Sequence, residues 1–224
     1  MTPIEAKLNY VVICYWLLIV RVFNTPSACG GVIDYEEAKG GGLEMEQARQ
    51  ELLDKAYKLG FEYEKIYRGC SQCVIAAIQD TLGIREDSVF KAGSGLAGGG
   101  GLTGIGVCGG YVGGVMVLSQ LLGRERSNFE DPERVRFRSF ALARKLVGEF
   151  IREFGTIICR DIQTVKFGRP YYIADPEDFE KFEEAGGHVD KCTEVVGKAA
   201  QIAVKLILDE GLVDLPKLRE GDPK

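Results

Sequence analysis

The chain has 224 residues, of which 46% are hydrophobic and 27% are charged, and this balance is typical of a globular protein with one core. Its 33 acidic and 28 basic side chains give a net charge of -5, so it lacks the basic surface that binding to a phosphate backbone requires. We therefore expect no nucleic acid partner. Seven cysteines beside one histidine are too few for a small disulfide scaffold, so their positions must show what they do.

The first 44 residues read as an N-terminal extension. The apolar run at 8–20 is shorter than the roughly 18 to 20 residues that cross a bilayer, so we expect no membrane span. The run lacks strong signal-peptide features, and we expect a cytoplasmic protein unless it is a genuine signal. Residues 39–44 resemble a translated ribosome-binding site, which suggests that translation starts at Met45. A signal-like segment and a disordered arm are the two alternatives.

Residues 45–212 predict one compact all-α domain of about five to six helices, and residues 213–224 form a tail. No strand pattern or repeat of useful length appears. The predicted helices are 46–59 ended by Gly60, 69–82 ended by Gly83, a buried central helix at 108–122, a long one launched by Asp131 and Pro132 and ended by Gly155, a small acidic one after Pro170, and a final one at 189–206. A further single turn of helix is predicted at 87–90, capped by Asp87.

Three of these helices have predicted buried faces. On the second, the face includes Cys70, Val74, Ala77, Ile78 and Leu82. On the long helix it consists of Val135, Phe140, Ala143, Val147, Phe150 and Phe154, and on the final helix of Val189, Cys192, Val196, Ala199, Ala203 and Leu206.

A glycine-rich loop at 93–106 precedes the central helix. It could be mistaken for a phosphate-binding loop, but no strand precedes it and no Gly-Lys-Ser/Thr closes it, so we expect no nucleotide. Its glycines instead let the backbone pass close to another helix or to a bound cluster. Within the central helix, Gly109 and Gly113 are four residues apart, as are Gly110 and Gly114, which allows a neighbouring helix to approach closely.

A single cysteine is most simply read as a small core residue. Cys70 and Cys108, however, both stand at predicted helix N-termini, where the helix dipole stabilises a thiolate by roughly 0.3 to 1 kcal/mol. Cys70 also forms a CxxC pair with Cys73. No histidine follows Cys73, which excludes attached c-type haem, and no second close CxxC completes a zinc ribbon. His188 could reach a metal beside Cys192, but we expect a surface histidine.

These residues resemble the C_GCAxxG_C_C family, whose members are regarded as redox proteins and are defined by four cysteines and a CGAxxG motif. The stretch that matches the motif is Cys108-Gly109-Gly110-Tyr111-Val112-Gly113, with glycine where the family has alanine. The other family cysteines correspond to Cys70, Cys159 and Cys192, and the resemblance covers about residues 45–211. Cys73 is additional, so it either resolves a disulfide or only packs.

The resemblance implies a redox class but no substrate. A similar domain occurs in split-Soret cytochromes, where four cysteines are associated with an iron–sulfur centre. The first hypothesis is therefore an iron–sulfur cluster for electron transfer, bound by Cys70, Cys108, Cys159 and Cys192. A redox protein or a small electron donor or acceptor would be the partner, and a homo-oligomer stays open.

Two alternatives remain. In a thiol–disulfide oxidoreductase, Cys70 attacks and Cys73 or another cysteine resolves the mixed disulfide. In a structural protein, zinc joins the helices through the four cysteines. Whether the chain is an enzyme stays open, and an oxidoreductase is the enzyme class that these residues fit.

Overall fold

The structure, a computed structural model, describes residues 35–215, with side chains from Leu43 onward. The hypotheses about a signal, a late start and an arm concern mainly residues 1–34, which lie outside the described residues, as do residues 216–224 of the tail. The chain divides after Gly42 into two units, and the description below concerns the second.

Eight α-helices make up most of the described residues, and no strand occurs among them, which confirms the all-α prediction with more helices than expected. They are α1 (Tyr35–Tyr67), α2 (Cys70–Leu82), α3 (Asp87–Ala92), α4 (Gly109–Leu121), α5 (Val135–Phe154), α6 (Cys159–Phe167), α7 (Pro176–Glu184) and α8 (Cys192–Asp209). Short 3-10 helices lie at Ser94–Leu96 and Arg126–Asn128, and a π-helical turn at Gly187–Lys191 leads into α8.

The core lies where α2, α4 and α8 pack against one another, with α5 covering α4 and α8. The predicted central position of α4 is confirmed, and its glycines explain how closely the helices approach. A β-carbon on Gly113 would lie 2.6 Å from the carbonyl oxygen of Ser71 in α2, and one on Gly114 would lie 2.9 Å from Leu146 of α5. Larger side chains on this face of α4 would therefore force the helices apart.

The predicted end of the first helix at Gly60 is wrong, because α1 begins at Tyr35 and continues to Tyr67. Gly60 is instead the point where α1 crosses α8. A β-carbon there would lie 2.8 Å from the carbonyl oxygen of Val196 and 3.0 Å from the α-carbon of Gly197. The glycine serves the contact between the two helices and does not stop the helix.

The predicted start and buried face of the long helix are also partly wrong. Asp131 accepts hydrogen bonds from the backbone N–H groups of Val135 (2.6 Å) and Arg136 (3.1 Å), so it caps α5 from four residues upstream and Pro132 lies outside the helix. Phe140 is 51% exposed, and the fully buried face of α5 consists of Leu142, Leu146, Phe150 and Phe154.

Three smaller differences concern the other helices. Glu86, not Asp87, caps α3, accepting a hydrogen bond from the backbone N–H of Ser88 at 3.1 Å. Val189 is 61% exposed because it belongs to the π-helical turn and not to α8. Helix α6 lies in a segment that the sequence predicts as a connection. Helices α2, α4 and α8 otherwise keep their predicted positions.

Within residues 35–215, none of the helices combines the length and the apolar character that crossing a membrane needs.

Candidate functional site

Four cysteines stand at the starts of four different helices and line one cavity of about 350 Å³. Cys70, Cys159 and Cys192 are the first residues of α2, α6 and α8, and Cys108 is the residue immediately before α4. The helical start was predicted for Cys70 and Cys108. It was missed for Cys159, because a helix of nine residues is too short to give a clear periodic pattern.

A short backbone pairing holds two of these cysteines side by side. Val107 and Ile158 form an isolated antiparallel bridge, so the segments that carry Cys108 and Cys159 run together. The N–H of Cys108 donates to the carbonyl of Ile157 at 2.8 Å, and the N–H of Cys159 donates to the carbonyl of Gly106 at 3.0 Å. Backbone hydrogen bonds therefore fix the positions from which both thiols enter the cavity.

Glycines let Cys70 and Cys159 approach the neighbouring backbone closely. A β-carbon on Gly109 would overlap the sulfur of Cys70. A β-carbon on Gly99, whose φ is +76°, would lie 3.0 Å from the β-carbon of Cys159. The glycine after Cys108, which the family motif also contains, is thus required by the position of the Cys70 thiol.

Two polar groups donate hydrogen bonds to the sulfurs. The backbone N–H of Gly98 donates to the sulfur of Cys70 at 3.4 Å. The side-chain amide of Gln163 donates to the sulfur of Cys159 at 3.7 Å, while its carbonyl oxygen accepts from the N–H of Tyr171 at 2.7 Å. Gln163 is 2% exposed, so its orientation is fixed by packing as well as by these bonds.

Burial, and to a smaller extent the neighbouring thiols, raise the pKa values of the four cysteines. Burial and then Cys159 raise the pKa of Cys108 to about 12, and burial and then Cys70 raise that of Cys159 to about 12. Burial, then Glu64, then neighbouring cysteines raise the pKa values of Cys70 and Cys192 well above the ordinary thiol range. Without a bound cation the thiols are therefore protonated and weakly nucleophilic at neutral pH.

Cys73 lies apart from these four. It is 4% exposed and its thiol donates to the backbone carbonyl of Arg68 at 3.1 Å, outside the lining of the cavity. Burial and then the neighbouring Glu64 carboxyl raise the pKa of its thiol. Cys70 and Cys73 are both free thiols in the structure.

The cavity is also lined by Glu64 and His188, which sequence reasoning did not assign to the site. The expectation of a surface histidine is wrong, since only 11% of the His188 side chain is exposed. Its Nε2 lies 3.6 Å from Glu64 Oε1, and its Nδ1 pairs with Glu183. Burial lowers the pKa of His188, but hydrogen bonds and charge from the two carboxyls outweigh burial, and the pKa is raised overall.

A usable signal for Glu64 was present in the sequence. Ala56, Gly60 and Glu64 lie four residues apart on the buried face of α1, so a charged residue continues an otherwise small and apolar stripe. Ending the helix at Gly60 concealed that pattern.

Among residues 43–215, whose side chains the structure describes, no three Cys, His, Asp or Glu side chains are grouped closely enough to hold a single metal ion. A tetrahedral zinc site needs four ligands around one ion, with Zn–S distances of about 2.3 Å. An iron–sulfur cluster distributes four cysteines over several metal atoms, and four thiols around one cavity match that donor set.

The fold and the site thus define an all-helical protein with a four-cysteine cavity. The model of the C_GCAxxG_C_C family, described as "Putative redox-active protein", matches residues 69–206, which is more than half of the chain. The chain belongs to this family, and all four cavity cysteines lie within the matched region. No curated protein and no solved structure matches the chain.

Proposed function

We propose that Cys70, Cys108, Cys159 and Cys192 bind an iron–sulfur cluster and that the protein transfers electrons through it. The observation that carries this proposal is the convergence of four thiols, from four separate helix starts, on one cavity. Cys₄ is the usual ligand set of such clusters. When bound, the cluster would accept and release single electrons.

The chain's own groups suit this ligand set electrostatically. Each of the four cysteines stands at a helix N-terminus, where the helix dipole favours negative charge by about 0.3 to 1 kcal/mol at one site. The N–H groups of Gly98 and Gln163 point at two of the sulfurs, and hydrogen bonds to sulfur are one determinant of a cluster's reduction potential. Binding a metal would remove the thiol protons, which burial otherwise retains.

Several features favour the cluster over the two alternatives. A structural zinc ion would require the four thiols to draw together around one atom, whereas the described side chains are not grouped in that way. Thiol–disulfide exchange requires a thiolate, while the Cys70 pKa is raised and its CxxC partner Cys73 lies outside the cavity lining.

The electron partner would be a redox protein or a small donor or acceptor that reaches the cavity mouth. A cytoplasmic location accords with the proposal, because a reducing compartment keeps all of these thiols free. A homo-oligomer would be compatible with it.

The decisive experiment is anaerobic purification followed by visible absorption and by analysis of iron, labile sulfide and zinc. We expect brown protein with iron and sulfide in similar amounts. Cys108→Ser should lose the colour, whereas Cys73→Ser, a matched change at a buried cysteine outside the cavity, should keep it.

Circular dichroism of both variants separates ligand loss from unfolding. Colourless protein with one zinc would establish the structural alternative. Colourless, metal-free protein whose thiol–disulfide exchange depends on Cys73 would establish the second alternative.

A further inference from the structure

The cavity has a second wall, by which we mean the part of its lining formed by Glu64 of α1, His188 of the π-helical turn, and Phe179 and Phe182 of α7. Glu64 is only 2% exposed, which is rare for a carboxyl group. Its Oε1 lies 3.6 Å from His188 Nε2. Its other oxygen, Oε2, is buried and has no hydrogen-bond partner within the part of the chain that the structure describes.

The two side chains beside Glu64, Cys73 and His188, also bind other groups. The Cys73 thiol lies close enough to Glu64 for the carboxyl to raise its pKa, and it donates to the carbonyl of Arg68 at 3.1 Å. The second ring nitrogen of His188, Nδ1, pairs with Glu183. Leaving a buried acceptor unsatisfied is costly, and more so for a charged group, so a donor that reached Oε2 would remove that cost.

The rest of this wall is mostly apolar, although Tyr67 and Arg68, whose guanidinium group pairs with Glu183 at 3.5 Å, also line the cavity. Phe179, Phe182, Ile173, Leu102 and Val195 line the same cavity. Its volume of about 350 Å³ falls at the lower end of the range for small-molecule sites, which is about 300–1,000 Å³. A mostly apolar pocket with a small number of polar groups is the usual composition of such sites.

We propose that this cavity binds a small organic molecule with an apolar body and a hydrogen-bond-donating head, preferentially an ammonium group, which Glu64 Oε2 accepts. A charge-assisted hydrogen bond to a carboxylate is roughly twice as strong as a neutral one, which favours the cation. The bound molecule would lie beside the four cysteines. The proposal does not depend on the cluster, because Glu64 and the phenylalanines are not among its ligands.

Three probes share one benzene ring and differ in the head group: benzylamine, benzyl alcohol and benzoate. Isothermal titration of the full chain as isolated, at neutral pH, should give the tightest binding for benzylamine, weaker binding for benzyl alcohol and the weakest for benzoate. No binding of any probe, or benzoate binding as tightly as benzylamine, would overturn the proposal.

His188 provides a second measurement. It is the only histidine of the chain, so in protein without a histidine tag its ring signals in NMR spectra need no assignment. Benzylamine should shift these signals in parallel with the heat of binding. Unchanged signals at saturating benzylamine would place the probe elsewhere and contradict the proposal.

Variants then test Glu64 itself. Glu64→Gln keeps the size and removes the charge, so benzylamine affinity should fall by about tenfold or more, as expected for a charged hydrogen bond of about 1.5–3 kcal/mol. The affinity for benzyl alcohol should fall much less in the same variant. Glu184→Gln removes an exposed carboxyl at the end of α7 and should leave both affinities within about twofold of wild type.

Equal losses in the two variants would indicate a general charge effect and contradict the proposal. Circular dichroism checks the fold of Glu64→Gln. If that variant unfolds, the order of the three probe affinities on the wild-type chain still tests the proposal. Iron and sulfide are measured in the same samples, so Glu64-dependent binding by metal-free protein would refute the cluster and leave this site standing.

Discussion

The two walls of the cavity differ in how their polar groups are held. On the thiol wall, four cysteines enter from helix starts that backbone hydrogen bonds and glycine contacts fix in place, and burial keeps their protons on. On the second wall, Glu64 and His188 contact each other, and Glu183, which lies outside the cavity lining, pairs with the other nitrogen of the His188 ring. The thiols of the first wall need a bound cation before they ionise, whereas on the second wall the His188 ring already pairs with carboxyl groups. The difference is between a rigid ligand set and a polar network that depends on packing.

The largest effect should come from removing the packing behind the polar network. Phe182 is 1% exposed and meets the His188 ring edge to face at a centroid distance of 5.3 Å. Phe182→Ala should lower the free energy of unfolding by about 3–5 kcal/mol, measured by urea unfolding followed by circular dichroism. Phe140→Ala, at a phenylalanine that is 51% exposed, should stay within about 0.5 kcal/mol of wild type. A comparably small loss for Phe182→Ala would show that the network does not rely on this ring.

A smaller effect on stability, but a large one on metal binding, should follow from crowding the thiol wall. A methyl group at Gly109 would overlap the Cys70 sulfur. Gly109→Ala should therefore lower the free energy of unfolding by about 1–3 kcal/mol and remove most of the metal that the wild-type protein is proposed to bind. Gly148→Ala in α5 is the matched control, because no heavy atom lies within 4 Å of its added carbon. In that control the free energy of unfolding should rise by about 0.5–1 kcal/mol, and the metal content should equal that of the wild type. Normal metal content in Gly109→Ala would mean that the Cys70 thiol can move.

The smallest effect should be a pH dependence from the polar network. The pKa of His188 is raised in the folded chain, so its stabilising contribution is complete below the unfolded value of about 6.5 and is lost as pH rises through the folded pKa. The free energy of unfolding should therefore decline with pH across that interval, and His188→Gln should flatten the decline. In an NMR titration, Glu64→Gln and Glu183→Gln should each lower the His188 pKa. A wild-type pKa at or below the ordinary value would contradict the network.

Sequence periodicity was sufficient for α2, α4 and α8, because their apolar faces repeat at helical spacing over many residues. Sequence periodicity gave the wrong helix end at Gly60 because this glycine serves a contact between two helices that are far apart in the chain. Glycine there is required by Gly197, which follows it by more than 130 positions, and no local pattern reports such a crossing. It failed at Phe140 because the buried face of α5 passes through Leu142 and Leu146 instead.

The residues of the candidate site also fall into those that the sequence indicates and those that only helix packing brings together. The four cysteines were identified from their placement and from the family resemblance, and the structure brings all four to one cavity. Their convergence could not be derived from spacing. The contact of Glu64 with His188 joins residues that are far apart in the chain, through a helix that was expected to end before Glu64 and a turn that was expected to be exposed. Long-range pairs of this kind depend on how helices pack, which a single sequence does not encode locally.

The position of each cysteine at the start of a different helix would also govern when the proposed cluster can be bound. The four thiols come from segments separated by about thirty to fifty residues, so an unfolded chain would have to close several long loops to assemble the set. No two of these four cysteines are close in the chain, so the set offers a nascent chain no partial site comparable to a short loop with closely spaced ligands. Cofactor loading would have to follow helix packing and proceed through the cavity mouth. Assembly of the metal centre would then be a late event in maturation, carried out on a chain that has already folded.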